Sequence, residues 1–279
     1  MFRQPLQVDW LKLGGAPLLH TAGRVAISVC PGRPEMGQGL EADVARLKAL
    51  HIDIVLSLAE ESERSLYGAA GLGAALAAAG IGHLEYPLID GLPPSDLGEA
   101  RSVCMRILGQ LGEGHNVLIH CIGGWGRSGT LAAALLCHEG HSPRRAIELV
   151  RRARSPRCVE TMAQEVFVHK YAQHQRGFYR RYLFFPRAAI PQVLGGEPGQ
   201  RRCNPSGVSL FVADTAEQLT RALIQVHHLH QQDEAWVVSG ELPVEKPVPP
   251  GAALTVDRAY HISGTGLLPV PFSRLGQGP

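Results

Sequence analysis

The chain has no CxxC pair and no dense cysteine framework. Its six cysteines, Cys30, Cys104, Cys121, Cys137, Cys158 and Cys203, are scattered through 279 residues. That spacing argues against a disulfide-stapled scaffold and suits a reducing compartment. A continuous apolar stretch near the start is also missing, because Met1 to Trp10 is broken by Arg3, Gln4, Pro5 and Asp9, so no secretory leader is expected there. Other apolar stretches are shorter than a bilayer span or interrupted by charge. The net charge is only +2, too small to argue for a nucleic-acid partner by itself. Together these absences predict a cytoplasmic protein with no membrane partner. What is present is an ample core: hydrophobic residues make up 45% and charged residues 19%, enough for one large domain or two ordinary ones.

The chain is organised around Val117-Leu118-Ile119-His120-Cys121-Ile122-Gly123-Gly124-Trp125-Gly126-Arg127-Ser128-Gly129-Thr130. An apolar run ends in a cysteine, a glycine-rich loop follows, and a helix-forming segment from Leu131 comes next. This predicts a strand, a tight loop and a helix start. Gly123, Gly124 and Gly126 leave the loop free to take φ > 0 and turn its N–H groups inward. With the positive end of the following helix, Ile122 to Arg127 form a cradle for a tetrahedral oxyanion. Cys121 lies at the mouth of that cradle, where the same field stabilises a thiolate. Arg127 returns a planar fork that matches two phosphate oxygens. Ser128 supplies a hydroxyl to the departing sulfur and also suits a helix cap.

These residues carry a resemblance. His120-Cys121-x-x-Gly124-x-x-Arg127-Ser128 resembles the HCxxGxxR(S/T) signature of the cysteine-based protein tyrosine and dual-specificity phosphatases. The order of Cys30-Pro31-Gly32, the Asp90-Gly91 loop, the signature loop and Ser142-Pro143 looks like the cyclin-dependent kinase-associated branch of that family. The likeness covers roughly residues 20–180. It implies that His120 orients the loop rather than acting as a base, and that Gln164, in Val159-Glu160-Thr161-x-x-Gln164, helps place the hydrolytic water. An exposed helix glutamine is the plainer explanation of Gln164.

A cysteine that attacks a phosphomonoester expels an alkoxide or phenoxide, and a carboxylic acid on the opposite side can protonate it. Asp90 is the candidate: it follows a strand, precedes Gly91 and lies shortly before Pro93-Pro94. The resemblance places the acid there too. Asp96 competes, although Ser95-Asp96 before Leu97 reads as a helix cap. The expected mechanism is two-step through a cysteinyl-phosphate, with Asp90 as acid and then as base and with no metal or cofactor required.

The loop contains no lysine, which argues against a polyphosphoinositide substrate, as phosphoinositide phosphatases of this superfamily typically carry lysines there. Trp125 walls the pocket, stacks on substrate or packs the loop; sequence does not rank these. The small-domain form favours phospho-Ser/Thr as well as phospho-Tyr of proteins. An RNA 5′-triphosphatase is the rival, with Arg144, Arg145, Arg151, Arg152, Arg154 and Arg157 as a basic path. A phosphate-binding pseudophosphatase is the non-enzymatic alternative.

Strands alternating with helices predict an α/β fold with a central, mostly parallel sheet flanked by helices and the site at the C-terminal ends of its strands. The expected division is a catalytic domain over residues 1–180, a linker over 181–205 and a small α/β module over 206–279. That module is expected to contain a helix after Asp214-Thr215, and the resemblance does not extend to it. It is expected to bind a partner or to self-associate. His227, His228 and His230 follow one another along that helix and cannot all face one metal ion.

Overall fold

Runs of three apolar residues closed by one polar residue form the centre of the fold. They are Val25–Ser28, Ile54–Ser57 and Val117–His120, and every position in them is buried. A run buried at each position is a strand covered on both faces, as parallel sheets require.

The computed structural model describes residues 4–176, 178–186, 193–194, 201–203, 209–212, 235–243, 254–263 and 266–275. The chain divides into two units. The first takes Met1–Leu19, Arg24–Cys104 and His115–Ala172, and the second takes His20–Gly23, Met105–Gly114 and Gln173–Pro279.

In chain order the strands and helices up to residue 175 are β1 (Val8–Trp10), a small hairpin of β2 (Lys12–Leu13) and β3 (Ala16–Pro17), β4 (Val25–Ser28), α1 (Leu40–Ala49), β5 (Ile54–Ser57), α2 (Glu61–Leu66), α3 (Leu72–Ala78), β6 (Gly82–Glu85), α4 (Leu97–Gly112), β7 (Val117–His120), α5 (Gly126–His138), α6 (Pro143–Ala153) and α7 (Met162–Gln175). The main sheet has the order β1-β4-β7-β5-β6. β1 is antiparallel to β4, and the other pairs are parallel. The fold is therefore the mixed α/β architecture with a mostly parallel sheet that the strand–helix alternation predicts.

The stripe Leu40, Val44 and Leu47 turns α1 onto the sheet, where it packs with Leu72 and Leu76 of α3 against Ala26, Val55 and Leu118. Helix α5 is buried along its whole length. Ser142 caps α6 by accepting the Arg145 N–H, with Pro143 in its first turn, as Ser142-Pro143 implied. Two local features differ from expectation. Helix α5 starts at Gly126 rather than Leu131, because Arg127 to Thr130 already wind the first turn that a glycine-rich reading left as loop. Helix α2 was not expected, since six residues with two acidic side chains and one arginine carry no apolar stripe.

The described part of the second unit after α7 is antiparallel. Strands β8 (Phe178–Pro186), β9 (Val193–Leu194), β10 (Arg201–Cys203), β11 (Ser209–Val212), β12 (Ala235–Pro243), β13 (Leu254–Val256), β14 (Arg258–Ser263) and β15 (Gly266–Val270) form two sheets, ordered β11-β8-β12-β14-β15 and β13-β10-β9. β8 crosses residue 180, where the sequence reading ended the first domain, and runs into the expected linker. It pairs with β12 over nine residues, from Phe178 opposite Pro243 to Pro186 opposite Ala235. Its aromatic content favours a strand. The helix expected after Asp214 and the histidines 227, 228 and 230 lie outside the described residues. Among the described residues no helix is long and apolar enough to cross a membrane.

Candidate active site

Register brings the three polar strand ends into one row. Ser28 of β4 and Ser57 of β5 both pair with His120 of β7, and all three side chains are fully buried. A buried polar group needs a partner: Ser28 donates to the Val29 carbonyl at 2.7 Å, and Ser57 and His120 are chained. His120 Nδ1 lies 3.0 Å from the Cys121 carbonyl oxygen, and a carbonyl only accepts, so Nδ1 carries the proton. His120 Nε2 then accepts from Ser57 Oγ at 2.7 Å, and Ser57 accepts from His83 Nε2 at 2.8 Å. Burial, partly opposed by the hydrogen bond to the Cys121 carbonyl, pushes the His120 pKa down to about 3. The ring is thus held neutral and tied to the backbone carbonyl of Cys121.

Cys121 follows β7 directly and is 3% exposed. Its Sγ accepts the Gly124 N–H at 3.2 Å and lies 3.2 Å from Ser128 Oγ. Of the three glycines that leave the loop free to take φ > 0, Gly124 does so, at φ 71. A Cβ there would stand 2.3 Å from the Ser28 carbonyl oxygen. Gly126 faces side chains instead: a Cβ would meet Glu160 Oε2 at 2.5 Å and Gln164 Nε2 at 3.0 Å, so these ends would have to shift. The Ile122 carbonyl accepts from the Cys30 N–H and from Arg33, both at 3.1 Å. The Gly124 carbonyl accepts from Arg154 at 3.2 Å. Trp125 lies beneath the Arg157 guanidinium, 3.8 Å from ring centroid to Cζ.

Arg127 is 1% exposed, and its fork is already shaped for an oxyanion. Nη1 and Nη2 reach the two oxygens of Glu63 at 2.6 and 2.7 Å, and Nη1 also donates to the Leu88 carbonyl at 3.0 Å. Nη2 stands 2.9 Å from Asp90 Oδ1. Nε is buried with no partner. Burial works against the guanidinium charge, but the Glu63 hydrogen bonds and the charges of Cys121, Glu63 and Asp90 outweigh it and hold the pKa above its ordinary value.

Asp90 is therefore brought to Arg127, on a side chain that is 79% exposed. Asp96 accepts the Glu99 N–H at 2.6 Å and caps α4. Gln164 is fully buried, so the exposed-helix explanation fails. Its Oε1 accepts from the N–H groups of Glu160 and Thr161 at 2.9 and 3.3 Å, and its Nε2 has no partner. Sequence reading missed Glu63, Ser57, His83 and Thr161. Glu63 sits in Glu60-Glu61-Ser62-Glu63, where nothing distinguishes one carboxylate from its neighbours. Thr161-x-x-Gln164 was visible as a helix-start signature. Among the described residues no cluster of three or more metal-ligating side chains occurs.

A family model described as PTP-SAK, the Swiss Army Knife protein DSP-PTPase phosphatase domain, matches residues 28–168, half of the chain. The chain belongs to this dual-specificity phosphatase family. The chain is also similar to cyclin-dependent kinase inhibitor 3 of Rattus norvegicus, 28% identical over 169 residues that cover 60% of this chain and 79% of the rat protein. The Homo sapiens protein of the same name is 27% identical over the same coverage. The crystal structure of kinase associated phosphatase with its catalytic cysteine replaced by serine superposes with a TM-score of 0.57 at 24% identity, covering 63% of this chain and 98% of that one. That match shows the phosphatase fold. Within the dual-specificity family the chain thus stands beside the cyclin-dependent kinase-associated branch.

Proposed function

We propose that the protein hydrolyses phosphate monoesters of phosphorylated proteins through a cysteinyl-phosphate intermediate. One observation carries this reading: the Cys121 sulfur lies 3.2 Å from both the Gly124 amide nitrogen and the Ser128 hydroxyl, while the buried Arg127 guanidinium keeps an unpartnered Nε. In the first step Cys121 attacks phosphorus. The Arg127 guanidinium and the leading N–H groups of α5, which have no intrahelical partner, stabilise the equatorial oxygens. Asp90 protonates the leaving oxygen. In the second step Asp90 activates water, Gln164 Nε2 helps to place it, and Ser128 donates to the sulfur as it departs.

Protein is favoured over RNA because most of the basic path is already neutralised. Arg145 and Arg152 share Glu148, Arg151 pairs with Glu165, and Arg154 pairs with Asp9. The relatives named for cyclin-dependent kinases point the same way. The test is phosphate release from phospho-Tyr and phospho-Thr peptides and from 5′-triphosphorylated RNA, with Cys121→Ser alongside. Peptide turnover lowered about 10⁴-fold or more by Cys121→Ser is expected. Release from RNA alone, or undiminished activity of the variant, would overturn the proposal.

A further inference from the structure

We propose that Thr161 is a positioning residue that holds the Asp90-Gly91 turn against the phosphate loop, an inference that rests on Asp90 being the general acid. Thr161 Oγ1 donates to the Gly91 carbonyl at 3.0 Å across seventy residues of sequence and accepts the Gln164 N–H at 3.2 Å. Gln164 Oε1 returns to the Thr161 N–H. The pair forms a reciprocal capping box at the start of α7, in which the threonine oxygen serves the helix. Its hydrogen is left over, and here it goes to the turn that carries Asp90.

The turn has little else to hold it. Ile89, Asp90 and Leu92 are exposed, and Gly91 adopts a left-handed φ of 73. Besides Thr161, it is tied at its start by the Leu88 N–H, which donates to the Leu58 carbonyl at 2.9 Å, and through Arg127 to the Leu88 carbonyl and the Asp90 carboxylate. A bound phosphate dianion competes for that same guanidinium. The Thr161 contact involves no anion and survives substrate binding. Because Gln164 Oε1 is taken by the capping box, the amide turns its buried, unpartnered Nε2 toward Gly126. One capping box therefore serves both steps: its hydroxyl holds the acid, and its amide faces the phosphate loop.

The experiment compares Thr161→Val, which keeps the shape and removes the hydroxyl, with Thr161→Ser, which restores it. Hydrogen–deuterium exchange of residues 88–92 is expected to rise about fivefold in Thr161→Val, as the loss of one net hydrogen bond implies, and to return in Thr161→Ser. On a phosphothreonine peptide, whose alkoxide needs protonation, kcat/KM is expected to fall about tenfold. On an activated aryl phosphate, whose phenoxide leaves unaided, it is expected to fall less than about twofold. Unchanged exchange at 88–92 would overturn the proposal. Equal losses on both substrates would also overturn it, since a merely structural threonine does not distinguish leaving groups. Asp90→Asn measured in parallel separates the two readings. If it shows no leaving-group dependence, the acid assignment fails, while exchange still decides whether Thr161 holds the turn.

Discussion

The loop from Cys121 to Ser128 and the turn from Leu88 to Leu92 meet at Arg127, yet they are built differently. The loop is mostly buried and tied from several sides: His120 donates to the Cys121 carbonyl, Cys30 and Arg33 to Ile122, and Arg154 to Gly124. Its one left-handed residue is a glycine pressed against the Ser28 carbonyl. The turn is exposed and rests on a few hydrogen bonds. The difference follows the chemistry each is proposed to do. Stabilising a charged transition state needs donors fixed before the reaction, whereas a proton donor that must admit and release substrate gains from a lighter hold.

The sharpest way to break that comparison is Asp90→Asn. Because the Asp90–Arg127 pair is mostly exposed on the Asp90 side, its loss should barely change stability. Activity on a phosphothreonine peptide should fall by about 10²–10⁴-fold, the range of a lost general acid. Denaturant unfolding beside peptide kinetics checks both halves. A large loss of stability would show that the turn is structural.

Glu63 tests the opposite loop. It grips both nitrogens of Arg127 from helix α2, so Glu63→Gln removes charge and half of the bidentate geometry while keeping the shape. The expected loss is about 10²-fold in kcat/KM, as for a misplaced positioning group. It should be accompanied by destabilisation of about 1–3 kcal/mol from weakening a hydrogen bond to a charged group. Steady-state kinetics and urea unfolding measure the two effects. A drop in activity with no change in stability would mean that Arg127 holds its place without Glu63.

How much of this was legible beforehand depends on how local each signal is. The order of strands and helices, the Ser142 cap, the Asp96 cap and the Cys121-to-Ser128 loop are written in short spacings and appear in the structure. Helix α2 and Glu63 were not legible, because their meaning comes from an arginine sixty-four residues away. Glycine shows where a backbone is unusual but not why. Gly124 is required by its φ and by the Ser28 backbone, whereas Gly126 faces the side-chain ends of Gln164 and Glu160, and only the fold separates the two. The row formed by Ser28, Ser57 and His120 was equally hidden, since register is a property of paired strands. His120 was legible only as part of the signature loop.

That row supplies the smallest and most specific prediction. His120 is held neutral in the folded protein, with its pKa moved from 6.5 down to about 3 by burial. In the unfolded chain the ring takes up a proton as pH falls through 6.5, while in the folded chain it does not. Unfolding therefore binds a proton between these values. The stability is complete above pH 6.5 and is lost progressively as pH falls toward 3, by at most about 1.4 kcal/mol per pH unit. NMR titration of the His120 ring should show a neutral imidazole with its proton on Nδ1 down to pH 4, and urea midpoints should fall over the same window. A ring that titrates near pH 6.5 in the folded protein would mean that the Ser57–His120–Cys121 chain is open to water, and the loop would then lose its claim to being the rigid partner of the two.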